Sequence, residues 1–340
     1  GAPFCGTHDR HRQPGKWGIV DHGEVEHGEV EHGDIEHSET ELPYPNQLTD
    51  PSRIRAAYLR MAKVALEEDF GDGADVSTLA TVPAEATGVK VMRARQSGVI
   101  SGLDAVDIVA EVAADRHVDV TAVVADGDRV EAGDEVARVE GKIQHILMLE
   151  RTLLNILSHA SGIATQTRAW VDVVEAAATS PRGCRVRDSR KTLPGMRMLE
   201  KRAIVHGGGY PHRYNLGDQV MVKDNHVELS SAAEAYARVR DFLGEDATTW
   251  VEVEVDNLNQ LAELLATDRP HPPQVLLDNF SVEVTRKAVE LRNQLAPQVL
   301  LESSGGLTLD VAGDYAAAGV ESVAVGGLTH SVQALDIGLD

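Results

Sequence analysis

Apolar residues in "TDPSRIRAAYLRMAKVALEED", residues 49–69, recur at helical spacing, with Thr49 or Asp50 as a cap and Pro51 in the first turn. The pattern predicts a helix that opens a folded domain. Beyond it the period drops to two. "TGVKVMRARQSGVISG" (87–102) and "VDVTAVVADGDRVEAGDEVARVEG" (118–141) are short alternating runs cut by Gly and Asp-Gly, which predict antiparallel strands and hairpins. These make an α+β domain of about residues 49–150. From there strand and helix alternate, which predicts parallel strands with helices outside them. Six candidate strands stand out: "CRVR" (184–187), "QVMV" (219–222), "WVEVEV" (250–255), "QVLL" (274–277), "QVLLE" (298–302) and "SVAV" (322–325). A barrel and a doubly wound sheet both fit, over residues 151–330.

Residues 1–48 stand apart, with three basic and ten acidic residues and a pentad repeat, "HGEVE HGEVE HGDIE HSETE", at 22–41. So few apolar side chains cannot offset the entropy of ordering, and the reading is a disordered, acidic, His-rich tail. Its evenly spaced histidines offer ligands for a divalent metal, although a solvated charge-rich tail is the favoured reading.

Charge narrows the partners. A formal net charge of −22 over 340 residues argues against nucleic acid and anionic membranes, which need a cationic face. No run of 18 apolar residues occurs, and the start of the chain has no apolar core segment, so a soluble cytoplasmic protein is expected. The two cysteines, Cys5 and Cys184, are far apart and predict no structural disulfide. Against this acidic background "RVRDSRKTLPGMRMLEKR", residues 185–202, gathers seven Arg or Lys. Such a local cluster points to a small anionic ligand.

Polar residues follow the predicted strands one after another: Asp188 and Arg190, Lys223 and Asp224, Glu254 and Asp256, Asp278, Ser304 with Gly305, and Gly326. In barrels and open parallel sheets alike, the C-terminal strand ends carry the site. In "VEVEV" alternation puts Glu252 and Glu254 on one face and the valines on the other. If the valines pack under helices, both carboxylates point inward and require cations or a metal nearby. Arg190, Lys191, Arg213 and Lys223 are the candidates, with His212 beside them. Glycine turns after the last strands suit a phosphate. No Walker sequence or dinucleotide fingerprint is present, which argues against an NTPase or a dehydrogenase.

"ERTLLNILSHASGIAT", "RDSRKTLPGMR", "GGGYPHRYNLGDQVMVKDNH", "VEVEV", "LLDNF", "ESSGGL" and "VAVGGLTH", in this order, resemble the quinolinate phosphoribosyltransferase family from about residue 54 to 340. The resemblance implies a seven-stranded α/β barrel, atypical of TIM barrels, preceded by an open α/β sandwich domain (49–150) that residues 331–340 rejoin. It implies transfer of the phosphoribosyl group of phosphoribosyl pyrophosphate to quinolinate with decarboxylation, Mg²⁺ as cofactor, and a homodimer or higher oligomer with the site at the subunit interface.

Carried over by motif, Arg190, His212, Arg213 and Lys223 would hold quinolinate, with Arg151 supplied by the neighbouring subunit. Lys191, Glu254 and Asp278 would be catalytic, Glu254 and Asp278 also holding the ribose and the metal. Ser304, Gly305, Gly326 and His330 would take the 5′-phosphate. Three positions depart from the family pattern: Ser189 for a common Thr, Tyr210-Pro211 before His212 where Asn is common, and Arg202 for a common Tyr. The rival readings are a related transferase with another acceptor, of the molybdenum-transport-associated type, and a non-catalytic barrel that binds a phosphorylated ligand.

Overall fold

The computed structural model of the chain describes residues 42–340, apart from 72, 228, 229, 245, 246 and 268. Most of the predicted tail, residues 1–41, lies outside the described residues. Residues 42–48, grouped with it on composition, are packed: Asn46–Leu48 form a short 3₁₀ turn and Leu48 is buried. "LPYP" at 42–45 supplies the apolar surface that the pentads lack.

The helix Pro51–Phe70 starts where expected, and Asp50 is its cap, its carboxylate accepting the backbone N–H groups of Ser52 and Arg53. Strands β1 (Thr87–Ala94), β2 (Gly98–Val99), β3 (Val118–Ala122), β4 (Arg129–Val130) and β5 (Glu135–Lys142) follow, with the helix Leu103–Val112 among them. They do not pair as two consecutive hairpins. β1 pairs with β5, β3 with β5, and β2 with β4, all antiparallel.

A 35-residue helix, Ile143–Ala177, then runs across the expected domain boundary at 150, so that one element serves both sheets. Gly162 is needed on it: an added Cβ would strike the backbone of Gln333 and Ala334, where the chain crosses on its way back.

The parallel strands are β6 (Arg185–Arg187), β7 (Val220–Val222), β8 (Val251–Val255), β9 (Gln274–Asp278), β10 (Leu300–Ser304) and β11 (Ser322–Ala324). They lie in the order β6-β11-β10-β9-β8-β7. All six match the sequence expectation. The sheet has six strands where the resemblance implied seven; between β6 and β7 in sequence, Tyr210 makes a single isolated parallel bridge to Arg187. Pro211 has no N–H to continue a ladder there. The last strand, β12 (Ile337–Leu339), pairs antiparallel with β1, so the C-terminal residues return to the first sheet.

Val251, Val253 and Val255 of β8 belong to the apolar core, and Glu252 and Glu254 face the other way, into the barrel, as alternation requires. Among the described residues no helix is long and apolar enough to cross a membrane.

Candidate functional site

The barrel interior carries charge one layer below the strand ends. Arg187 and Glu302 are completely buried, with Arg187 Nη1 3.0 Å from Glu302 Oε2. The same oxygen accepts Ser322 Oγ at 2.6 Å and Gln274 Nε2 at 3.3 Å. Burial opposes a charge on Glu302, but Arg187 and His212 prevail and hold its carboxyl below the usual range. Glu252 goes the other way, raised by burial and then by the Glu302 charge. The two adjacent carboxylates are thus shifted in opposite directions, Glu302 by its cationic partners and Glu252 by burial and the Glu302 charge.

His212 Nε2 lies 3.1 Å from Glu252 Oε2 and 3.3 Å from Glu302 Oε1. Burial and Arg187 disfavour a charge on the ring and the two carboxylates favour one, with the balance upward. The backbone N–H of Arg213 donates to Nδ1 at 2.9 Å. His212 also lines the cavity above this layer.

A second buried pair holds the same stretch from behind. Lys201 Nζ lies 2.7 Å and 2.9 Å from the two oxygens of Asp188 and donates to His212 O at 2.9 Å. Asp188 Oδ1 also accepts the His212 N–H at 2.7 Å. With both partners wholly buried, the pair fixes the backbone at His212 from two directions.

Above this layer opens a cavity of about 760 Å³ at the C-terminal ends of the strands. Arg190, Lys191, His212, Arg213, Lys223, Glu254, Asp278, Ser304, Gly305, Gly326 and His330 all line it. The structure therefore gathers every predicted site residue except Arg151, which is exposed on the long helix and is not part of the cavity wall. Of the seven cations between 185 and 202, only Arg190 and Lys191 line the cavity. The others that carry partners are structural: Arg187 and Lys201 are buried in the pairs above, Arg197 ties together Thr192 Oγ1, Tyr214 O and Arg190 O, and Arg202 meets Asp104 at 2.8 Å. The expectation that the whole cluster grips a ligand is corrected accordingly.

One end of the cavity is cationic. Burial lowers the pKa of the Arg213 guanidinium, and the neighbouring charge of Arg190 lowers it further. Arg213 Nη1 donates to Gln219 O at 3.2 Å, while Arg190 Nε is buried without a protein partner. Two guanidinium groups that repel each other in a partly buried wall are suited to an anion with more than one carboxylate. The other end is acidic. Glu254 Oε2 accepts from Lys223 Nζ at 3.1 Å, and donor atoms of Glu254, Asp256 and Asp278 all lie within 4.8 Å of one another. Burial and then the charge of Asp256 raise the pKa of Asp278. Three hard oxygen donors in mutual repulsion fit a divalent cation such as Mg²⁺. Sequence reasoning named Glu254 and Asp278 for that role and left out Asp256, although its place two residues after Glu254 was the available signal.

The third wall is glycine-lined. Register aligns Ser304 with Asp278 on neighbouring strands, and Gly305 follows with φ +92°, a left-handed conformation that favours glycine. At Gly326 a Cβ would press on Lys191 Cδ at 3.0 Å and lie 3.4 Å from His330, so the glycine lets both side chains close over the strand end. Thr329 Oγ1 donates to Lys191 O at 2.9 Å and fixes the loop.

Comparison with known proteins agrees with this geometry. The family described as "Quinolinate phosphoribosyl transferase, C-terminal domain" matches residues 163–340, and "Quinolinate phosphoribosyl transferase, N-terminal domain" matches residues 75–161. The nicotinate-nucleotide pyrophosphorylase [carboxylating] of Mycobacterium leprae is 46% identical over 81% of this chain and 94% of its own. The chloroplastic enzyme of that name from Oryza sativa subsp. japonica is 35% identical over 81% of this chain and 75% of its own. Among solved structures, nicotinate-nucleotide pyrophosphorylase from Ehrlichia chaffeensis superposes with a TM-score of 0.74 at 32% identity, covering 83% of this chain and 97% of its own.

Proposed function

Since the chain belongs to the quinolinate phosphoribosyltransferase family, we propose that it transfers the phosphoribosyl group of phosphoribosyl pyrophosphate to the ring nitrogen of quinolinate, releasing pyrophosphate and carbon dioxide and leaving nicotinate mononucleotide. One observation carries the reading: the paired guanidinium groups of Arg190 and Arg213 share a cavity with Glu254 and Asp278. A diacid fits the first pair. A sugar that becomes electron-poor fits the second.

Quinolinate's two carboxylates meet Arg190, Arg213 and Lys223, with His212 holding Arg213 in place, and the ring nitrogen is turned toward the sugar. The 5′-phosphate lies against Ser304, Gly305, Gly326 and His330, where backbone N–H groups and a histidine are available. As the bond from C1 to pyrophosphate breaks, positive charge grows on the ribose, and Glu254 and Asp278 stabilise it. Lys191, beside Gly326, neutralises phosphate charge. The new bond from ring nitrogen to C1 makes the ring cationic. The bond to the adjacent carboxylate then breaks, its electron pair stays on the ring carbon, and that carbon takes up a proton. Positioning and electrostatics supply the catalysis without a dedicated general base.

Glu254, Asp256 and Asp278 would hold Mg²⁺, which when bound offsets the negative charge of the pyrophosphate. The same reading takes the protein to be a cytoplasmic homodimer or higher homo-oligomer in which Arg151, exposed and outside its own cavity, completes the diacid site of a neighbouring subunit. Incubation of the protein with both substrates and Mg²⁺, followed by chromatography for nicotinate mononucleotide, tests the proposal. Formation of the nucleotide only when both substrates are present is expected, and its absence refutes the reading.

A further inference from the structure

The packed segment 42–48 touches both ends of one loop. At the first end Tyr210 Oη donates to Leu42 O at 2.5 Å, and the rings of Tyr44 and Tyr210 meet edge to face, with centroids 5.5 Å apart and planes at 87°. At the second end Gln47 Nε2 donates to Asp218 Oδ1 at 2.7 Å. The other oxygen of Asp218 accepts the N–H groups of Tyr214 at 2.6 Å and Asn215 at 3.0 Å, which closes the turn just after Arg213. Between these two anchor points lie His212 and Arg213.

The loop is thus held from two sides. From inside, Asp188 and Lys201 fix the backbone at His212. From outside, residues 42–48 fix Tyr210 and Asp218. The segment is itself anchored, because Leu48 is buried and its carbonyl accepts Arg202 Nη1 at 3.4 Å. Tyr210 and Arg202 both engage this segment. Pro211 gives the loop no backbone donor of its own at that point, which increases the weight of the outside contacts.

We infer that residues 42–48 are a strap that positions Arg213 for the diacid, with Tyr44, Gln47 and Tyr210 as positioning residues. The inference rests on the proposed reading of the cavity. It adds to that reading a dependence of acceptor affinity on a segment outside the barrel. The strap acts at the cationic end of the cavity, while Gly305 and Gly326 belong to other strand ends, so acceptor binding and donor binding separate.

The test compares the full chain with Tyr44→Ala/Gln47→Ala and with the conservative Tyr44→Phe, each checked for folding by circular dichroism. In the double variant KM for quinolinate should rise about three- to tenfold, the effect of losing one or two ordinary contacts. KM for phosphoribosyl pyrophosphate should stay unchanged, and Tyr44→Phe, which keeps the ring, should behave as the parent. An unchanged quinolinate KM, or an equal rise in both constants, overturns the positioning role. Hydrogen exchange provides a readout that needs no activity: the peptide covering 210–218 should exchange faster in the double variant, and an unchanged rate overturns the strap. A parent chain that makes no nucleotide would instead sink the proposed function, and the exchange arm would still decide the strap.

Discussion

Lys223 Nζ and Glu254 Oε2 lie 3.1 Å apart at the ends of neighbouring strands, so the cation proposed to meet the diacid also neutralises the carboxylate proposed to face the sugar. The pair joins the two halves of the cavity. Lys223→Ala should therefore affect both substrates, whereas Arg190→Ala should affect quinolinate alone. Loss of a charged hydrogen bond of about 1.5–3 kcal/mol corresponds to a fall in kcat/KM of about 10- to 150-fold. Steady-state kinetics with each substrate varied in turn distinguishes the two variants.

The buried pair of Arg187 and Glu302 predicts a stability effect rather than a kinetic one. Arg187→Met leaves Glu302 buried without its main cation, and breaking such a pair costs about 3–5 kcal/mol. Urea unfolding should show a matching fall in the midpoint. The double variant Arg187→Met/Glu302→Leu should recover much of it, because no unpaired charge then remains in the interior.

Acid stability follows from the same residue. The folded-state pKa of Glu302 is depressed, so its contribution is present above the ordinary carboxylate range and is lost as pH falls through and below it. Glu252 has a raised pKa and contributes with opposite sign, fully at low pH and less as pH rises. Stability measured from about pH 6 down to about pH 3 should therefore drop less steeply in Glu302→Gln than in the parent. Equal slopes would remove Glu302 from this account.

Gly305 provides a test of the phosphate wall. Its φ of +92° disfavours any Cβ, and an added methyl would also run into the side chain of Asn279. Gly305→Ala should raise KM for phosphoribosyl pyrophosphate, with quinolinate binding measured by calorimetry unchanged. A loss confined to quinolinate would place the phosphate elsewhere.

Much of this was legible in the sequence, and the exceptions share a cause. Period two in "VEVEV" put Glu252 and Glu254 on one face, and the structure finds both inside the barrel. The polar residue after each strand marked the cavity because a strand's C-terminal end is a local feature. What pairs with what was not local. Arg187 stood among the seven cations of 185–202, yet its partner Glu302 is 115 residues away on β10. Lys201 and Asp188 are separated by a loop and a helix turn whose geometry composition does not encode. The segment 42–48 was hidden for the opposite reason, since the charge of the neighbouring pentads outweighed its five apolar residues. The six parallel strands read from the sequence are the six the structure forms, and the bridge at Tyr210 left no trace in the sequence because it involves one residue rather than a run of alternating ones.

The comparison of quinolinate with nicotinate as acceptors tests the central claim most directly, since the two differ by the carboxylate that the second guanidinium is proposed to meet. With phosphoribosyl pyrophosphate and Mg²⁺ saturating, kcat/KM for quinolinate should exceed that for nicotinate by about tenfold or more, the worth of one charged contact. Equal use of the two acids, or a preference for nicotinate, would contradict a cavity built around Arg190 and Arg213 for a diacid.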